Sequence, residues 1–173
     1  MSENEDNKEN AGKQPKKVLI VCSKGSLVDV YPSLVMANGA LMEGMEAEVF
    51  FTFFGLDAVR KATQKKLKMT PVANPAMRLP GSTLPFPNIV GLIPGVSDVA
   101  TSMMKNTIEK LDIPTTYEFL DMIKAGGGKL WGCKMAMDMF GLTREDLRDD
   151  IDGVLTVGEF YSRVGEDTQI IFT

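Results

Sequence analysis

The chain has 173 residues, 44% of them apolar and 24% charged, with 19 basic and 23 acidic side chains, two cysteines and no histidine. That length suits one domain, able to bury about 70% of its unfolded surface without a disulfide or metal staple, and a formal charge of −4 lacks the basic excess of a nucleic-acid binder. Without histidine there is no Ser–His–Asp or Cys–His relay and no imidazole zinc ligand, and two cysteines cannot make a four-cysteine zinc site.

Met1 to Gln14 is polar and acidic, with no apolar h-region, so it does not read as a signal peptide. No run reaches the ~18 apolar residues of a transmembrane helix. Residues 1–15 read as a disordered tail and residues 16–173 as the single ordered domain. The expected compartment is cytoplasmic, where two cysteines stay reduced.

Lys17-Val18-Leu19-Ile20-Val21-Cys22 is a short β-branched run, the pattern of a strand buried on both faces in a parallel sheet. Ser26 then caps a helix over Leu27 to Glu43, with Asp29 in its first turn, Pro32 early enough to be borne and Gly44 at its end. Glu46 to Thr52 is aromatic and β-branched. Strand, helix and strand within about 35 residues make a βαβ unit. Gly55 to about Lys68 reads as a short amphipathic helix with a basic side of Arg60, Lys61, Lys65, Lys66 and Lys68. That side is either a solvated face or a docking patch for an acidic partner. Residues 69–96 hold six of the nine prolines among apolar side chains, too broken for a long helix and too apolar for a loose linker. A subunit interface, a lid over a site, or membrane-surface contact through 79–96 are the roles open to such an insertion.

Helices follow over Val99 to Leu111 and, capped by Thr115 or Thr116, over Tyr117 to Ala125, where three glycines end the second. Lys129 to Cys133 is a strand that runs directly into a helix over Lys134 to Phe140, stopped by Gly141. A short acidic turn at Thr143 to Asp146, a buried strand at Gly153 to Val157, a short helix at Gly158 to Val164 and a last strand at Thr168 to Thr173 complete the pattern. The alternation predicts a three-layer α/β/α domain around a mostly parallel sheet of about five strands.

Both cysteines end predicted strands, at the edge of an α/β sheet where ligands and chemistry collect. Cys22 is followed by Ser23, Lys24 and Gly25 before its helix begins, whereas Cys133 leads straight into one. A helix N-terminus favours an anion, Lys134 is adjacent and Gly132 leaves space, so Cys133 has one of the recognised settings for a lowered thiol pKa. The alternative for either cysteine is a small buried hydrophobe, and a disulfide between them stays open at this point. Met135, Met137 and Met139 alternate, so at least one points away from the core, as gap-filler, soft partner surface or copper(I) ligand.

The run from Val18 to Pro32, the run from Ala37 to Leu56 with its Phe50-Phe51-Thr52-Phe53, and above all Gly132-Cys133-Lys134-Met135-Ala136-Met137-Asp138-Met139-Phe140-Gly141-Leu142 resemble the DsrE/DsrF-like family. The likeness is to its peroxiredoxin-like DsrE branch and covers Lys17 to Thr173. It implies a flavodoxin-like sheet, homo-oligomeric assembly as a trimer or larger, and a sulfurtransferase-like carrier holding sulfane sulfur as a cysteine persulfide. The implied partners are rhodanese-type and TusA-type sulfur-carrier proteins. No cofactor or metal is expected, and the charge balance argues against nucleic acid. The family's cysteine falls on Cys133, with the loop from Ser23 to Gly25 facing it; Lys24 and Lys134 are candidates for electrostatic support. Phe54 stands where the family often has tryptophan. Two other readings are a non-catalytic oligomeric assembly protein and a flavodoxin-like nucleotide-binding module. The second would use Ser23-Lys24-Gly25-Ser26 as its phosphate loop, a sequence that matches neither the P-loop nor G-x-G-x-x-G.

Overall fold

Five short apolar runs become strands in the computed structural model, which describes residues 14–69 and 95–173. They are β1 (Lys17–Cys22), β2 (Glu46–Phe51), β3 (Lys129–Cys133), β4 (Gly153–Leu155) and β5 (Thr168–Phe172). All pair in parallel, in the order β4-β3-β2-β1-β5. The helices are α1 (Leu27–Met42), α2 (Val96–Lys110), α3 (Thr116–Ala125), α4 (Lys134–Phe140) and α5 (Val157–Tyr161). Short 3-10 helices occupy Phe53–Ala58 and Arg144–Asp146. The acidic tail and the proline-rich insertion lie outside the described residues, except that Met69 is tied to α2: its amide donates to Thr101 Oγ1 at 2.9 Å and its carbonyl accepts from Ser97 Oγ at 2.9 Å.

Side chains alternate across a strand, and residues paired in a parallel register share a face. One face of the sheet therefore carries Val18, Ile20 and Cys22 with Ala47, Val49, Phe51, Leu130 and Gly132. α1 covers it, its apolar stripe of Leu27, Val30, Leu34 and Ala37 fully withdrawn from solvent, with α3 packed beside α1. The opposite face carries Leu19, Val21, Glu48, Phe50, Trp131, Cys133 and Leu155. There α5 docks through Phe160, whose ring lies 4.9 Å from that of Phe50. Helices on both faces make the three layers expected from the alternation.

Glu48 is the exception to this apolar packing. It is buried, and its carboxylate is met by Lys17 Nζ at 2.7 Å, Trp131 Nε1 at 2.6 Å and Arg163 Nε. The Arg163 guanidinium also lies 4.2 Å over the Trp131 ring. A buried charge survives only when paired and hydrogen-bonded, and Glu48 has three donors. The cluster fixes the segment after α5 onto β1, β2 and β3 at once.

Local signals set most element ends. Ser26 caps α1 by accepting from the Asp29 amide at 3.3 Å, and Thr115 with Glu118 forms a full capping box on α3. Gly141, at φ 63°, closes α4 in the left-handed conformation that glycine adopts freely. One expected helix is absent. Past the 3-10 helix, Arg60 bridges Leu147, Lys61 donates to the Asp146 carbonyl at 2.8 Å and Arg148 donates to the Val59 carbonyl at 2.8 Å. Pairing across to residues 146–148 takes the backbone groups that a helix over 55–68 would need. Lys61, Lys65, Lys66 and Lys68 end up on turns and an extended stretch rather than on one helical face.

Candidate functional site

Three segments meet at the C-terminal edge of the sheet: the loop after β1, the 3-10 helix after β2, and α4 after β3. Two glycines join the first pair. A methyl group on Gly25 would collide with the Phe54 carbonyl, and one on Gly55 with the Cys22 carbonyl. Gly55 donates to the Ser23 carbonyl at 3.2 Å and Thr52 to that of Cys22 at 3.0 Å. The third segment joins through Gly132, where an added Cβ would lie 3.1 Å from both Met137 Sδ and Leu147 Cδ1. Glycine there lets Met137 and Leu147 lie directly on β3, on the face opposite the Cys133 side chain, rather than leaving space around the sulfur as the sequence suggested.

Cys133 ends β3 and is the N-cap residue of α4, in extended conformation, with no side-chain capping bond. Its residue surface is 1% exposed. Lys134 follows on α4, its ammonium held by both carboxylate oxygens of Asp138 at 2.5 and 2.6 Å. The Lys134/Asp138 pairing is an i,i+4 contact visible in the sequence but not singled out there. Of the three α4 methionines, Met137 is buried, and Met135 and Met139 face outward, as the alternation required.

Cys22 has different surroundings. It is fully buried on the α1 face and its thiol donates to the Lys24 carbonyl at 3.7 Å. Burial pushes the thiol pKa up, only partly offset by hydrogen bonds with Ser33, the Lys24 backbone and Thr173. The Ser33 and Thr173 hydroxyls are themselves 2.5 Å apart. Two strands of spacing separate β1 from β3, about 9–10 Å, and the two cysteines face opposite sides of the sheet. Neither meets the geometry of a disulfide, whose Cα atoms lie within about 7 Å; both are free thiols.

The remaining candidates sit on the β1 loop. Ser23 spends both its amide and its hydroxyl on the Thr173 carbonyl, at 3.1 and 2.8 Å. Lys24 is exposed, 4.0 Å from Asp29. Sequence reading passed over an exposed aromatic cluster that ties the 3-10 helix to the end of α4. Phe54 is 65% exposed, and its ring stacks at 5.6 Å on that of Phe140, also exposed. Phe53, exposed beside it, has φ 45°, a left-handed conformation that is an outlier for a bulky side chain. The run of aromatics was visible in the sequence, but which of them face solvent was not, because strand alternation stops at Phe51. Among the described residues, no three Cys, Asp or Glu side chains group as a metal site, and no helix is long and apolar enough to cross a membrane.

The sequence model of the DsrE/DsrF/DrsH-like family matches residues 14–172. The chain is 33% identical over 156 residues to the sulfur carrier protein DsrE2 of Allochromatium vinosum, covering 88% of this chain and 95% of that protein. It is 30% identical over 142 residues to the uncharacterized protein YrkE of Bacillus subtilis, covering 80% of this chain and 86% of that one. Among solved structures, the ychN protein of E. coli superposes with a TM-score of 0.50 at 13% identity, over 91% of this chain and 99% of that one, a likeness of fold alone.

Proposed function

Because the chain belongs to the DsrE/DsrF/DrsH-like family, we propose that it is a sulfur carrier that holds sulfane sulfur on Cys133 as a persulfide and passes it to a partner protein. The observation that carries this reading is the inequality of the two thiols. Cys22 is sealed against α1 and held protonated by burial, whereas Cys133 stands at the head of α4 on the edge where three segments meet. The relative named a sulfur carrier protein supports the same role.

The chemistry needs only what the site contains. A donor's persulfide offers its outer sulfur, the Cys133 thiolate attacks it, the donor's S–S bond breaks and the donor leaves as a thiolate. In the second half, a partner's thiolate attacks the outer sulfur of Cys133–S–S⁻, and Cys133 leaves as thiolate. Sulfur moves without net oxidation and without a cofactor. The N-terminus of α4 favours the anionic forms, and Lys134 acts with Asp138 as a pair rather than as a free cation. With 1% exposure at Cys133, each exchange includes an opening of the loops around it. Rhodanese-type and TusA-type proteins are the partners this reading names, and the working form is a homo-oligomer in the cytoplasm. The nucleotide-binding reading is the weaker one, since Ser23 has its amide and hydroxyl spent on Thr173.

Intact-mass measurement after incubation with inorganic polysulfide tests the proposal. Wild type and Cys22→Ser gain one sulfur atom and lose it to dithiothreitol; Cys133→Ser gains none. No uptake by wild type from any sulfane donor sinks the carrier reading.

A further inference from the structure

α1 lays a buried stripe on the sheet, yet its outward face is apolar as well. Of its 16 residues Asp29 alone is charged, and none is charged from Val30 to Met42. The 15-residue α2 carries four charged side chains and the ten-residue α3 three, as helices with one face in water do. A helix that is apolar all round belongs in surroundings that cover it all round. Here Val35 and Met36 are each 48% exposed and Met42 78%, with Pro32 exposed a turn earlier. Val28, Pro32, Val35, Gly39 and Met42 recur at intervals of four, three, four and three. That is the 3.5-residue repeat of a seam between two helices lying side by side at about 20°. Gly39 is a second, separate sign. A Cβ built on it meets nothing within 4 Å, and its φ is not positive. Glycine inside a helix is destabilising relative to alanine, and no contact among the described residues calls for it. A second backbone lying close against it from outside does.

We infer that the outward face of α1 is a self-association surface, on which α1 of a second copy of this chain packs with the Val35–Gly39 stretch at the centre of the seam. Interfaces that stay formed are apolar and depleted of charge at their core, which is the composition of this face. Chains of net charge −4 repel one another, and they meet at least cost where neither brings a charge. A second copy also carries a seam of the same repeat and is present whenever the chain is. At 1.5 Å per residue α1 is about 24 Å long. Two such helices in contact along that length withdraw on the order of 1,000 Å² in all, the scale of a specific interface. The inference gives the homo-oligomer named with the carrier reading a surface, and stands apart from the sulfur chemistry, since the Cys133 side chain is on the sheet face that α1 does not cover.

Sedimentation equilibrium of the full chain tests it, with Val35→Glu and Gly39→Ala beside wild type. Wild type self-associates at micromolar concentration. Val35→Glu, at an exposed position, keeps the wild-type far-UV circular dichroism and associates about a hundredfold more weakly, because the seam would bury an unpaired carboxylate. Gly39→Ala associates about tenfold more weakly, although alanine is the better helix former and has open space in the lone chain. Raising salt from about 0.05 to 0.5 M leaves wild-type association unchanged or tighter, since it screens the repulsion between copies and breaks no ion pair. Equal or tighter association in Gly39→Ala, association that Val35→Glu leaves intact, or weakening by salt each overturns the proposal. A wild type that stays monomeric overturns it too, and destabilisation of that monomer by Val35→Glu would assign the stripe to another segment of the same chain. Polysulfide loading is read on the same samples: its absence in wild type contradicts the carrier reading and leaves the interface standing.

Discussion

Cys22 and Cys133 end neighbouring parts of one sheet edge, yet they belong to opposite faces and to different kinds of surroundings. The Cys22 face is closed by a long helix whose apolar stripe, with Ser33 and Thr173, covers the thiol. The Cys133 face is covered by the five-residue α5 and pinned by a buried carboxylate with three donors. Strand-end position alone therefore does not make a cysteine a candidate for exchange. The face it shares and the element that follows it decide what surrounds the sulfur.

The sharpest break in this comparison comes from the charged pin. Glu48→Ala leaves Lys17, Arg163 and the Trp131 indole without their acceptor, and loss of one member of a buried pair costs about 3–5 kcal/mol. Equilibrium denaturation should show that loss, and the emission of Trp131, the chain's one tryptophan, should shift as its hydrogen bond disappears. Burial pushes the Glu48 carboxyl up, but hydrogen bonds from Arg163, Lys17 and Trp131 outweigh it and hold its pKa below the usual carboxylate value. Its stabilising contribution is thus complete above the unfolded pKa, near 4.5, and is lost as pH falls through the lower folded value. Glu48→Gln should flatten that acid limb.

A smaller effect separates the two loops. Gly55→Ala forces a methyl group against the Cys22 carbonyl, an overpacking cost of about 1–3 kcal/mol. Because Gly55 is part of what seals Cys22, the variant should also alkylate faster at Cys22, read by peptide mapping, with Cys133 labelling changed less.

Cys22→Ala is the mildest of the three, costing about 1 kcal/mol in a denaturant melt. Its signature is in pH. Burial raises the Cys22 pKa in the folded chain, so the thiol stabilises fully below the unfolded pKa, near 9.0. That contribution is lost as pH rises from there through the higher folded value. The alkaline loss should be shallower in Cys22→Ala than in wild type.

Much of this architecture is legible in the sequence. The run Lys17 to Cys22, the Ser26 cap, the Thr115–Glu118 box and the direct passage from Cys133 into α4 each carry a local signal that the fold obeys. The segment from Gly55 to Lys68 misleads because its helical spacing is overridden by pairing with residues 146–148, a contact between segments far apart in the chain. The asymmetry between the cysteines was visible only in part: Ser23 and Gly25 versus an immediate helix are in the sequence, but the closure of Cys22 by Ser33 and Thr173 depends on three distant segments meeting. The same holds for Phe54 and Phe140, whose stacking brings together the 3-10 helix after β2 and the far end of α4.

Peptide mapping of wild-type protein loaded with polysulfide tests the central claim most directly, because both cysteines compete within one folded molecule. The account predicts the extra sulfur on the peptide containing Cys133 and none on the peptide containing Cys22. Sulfur on Cys22, or shared equally between the two, would contradict it.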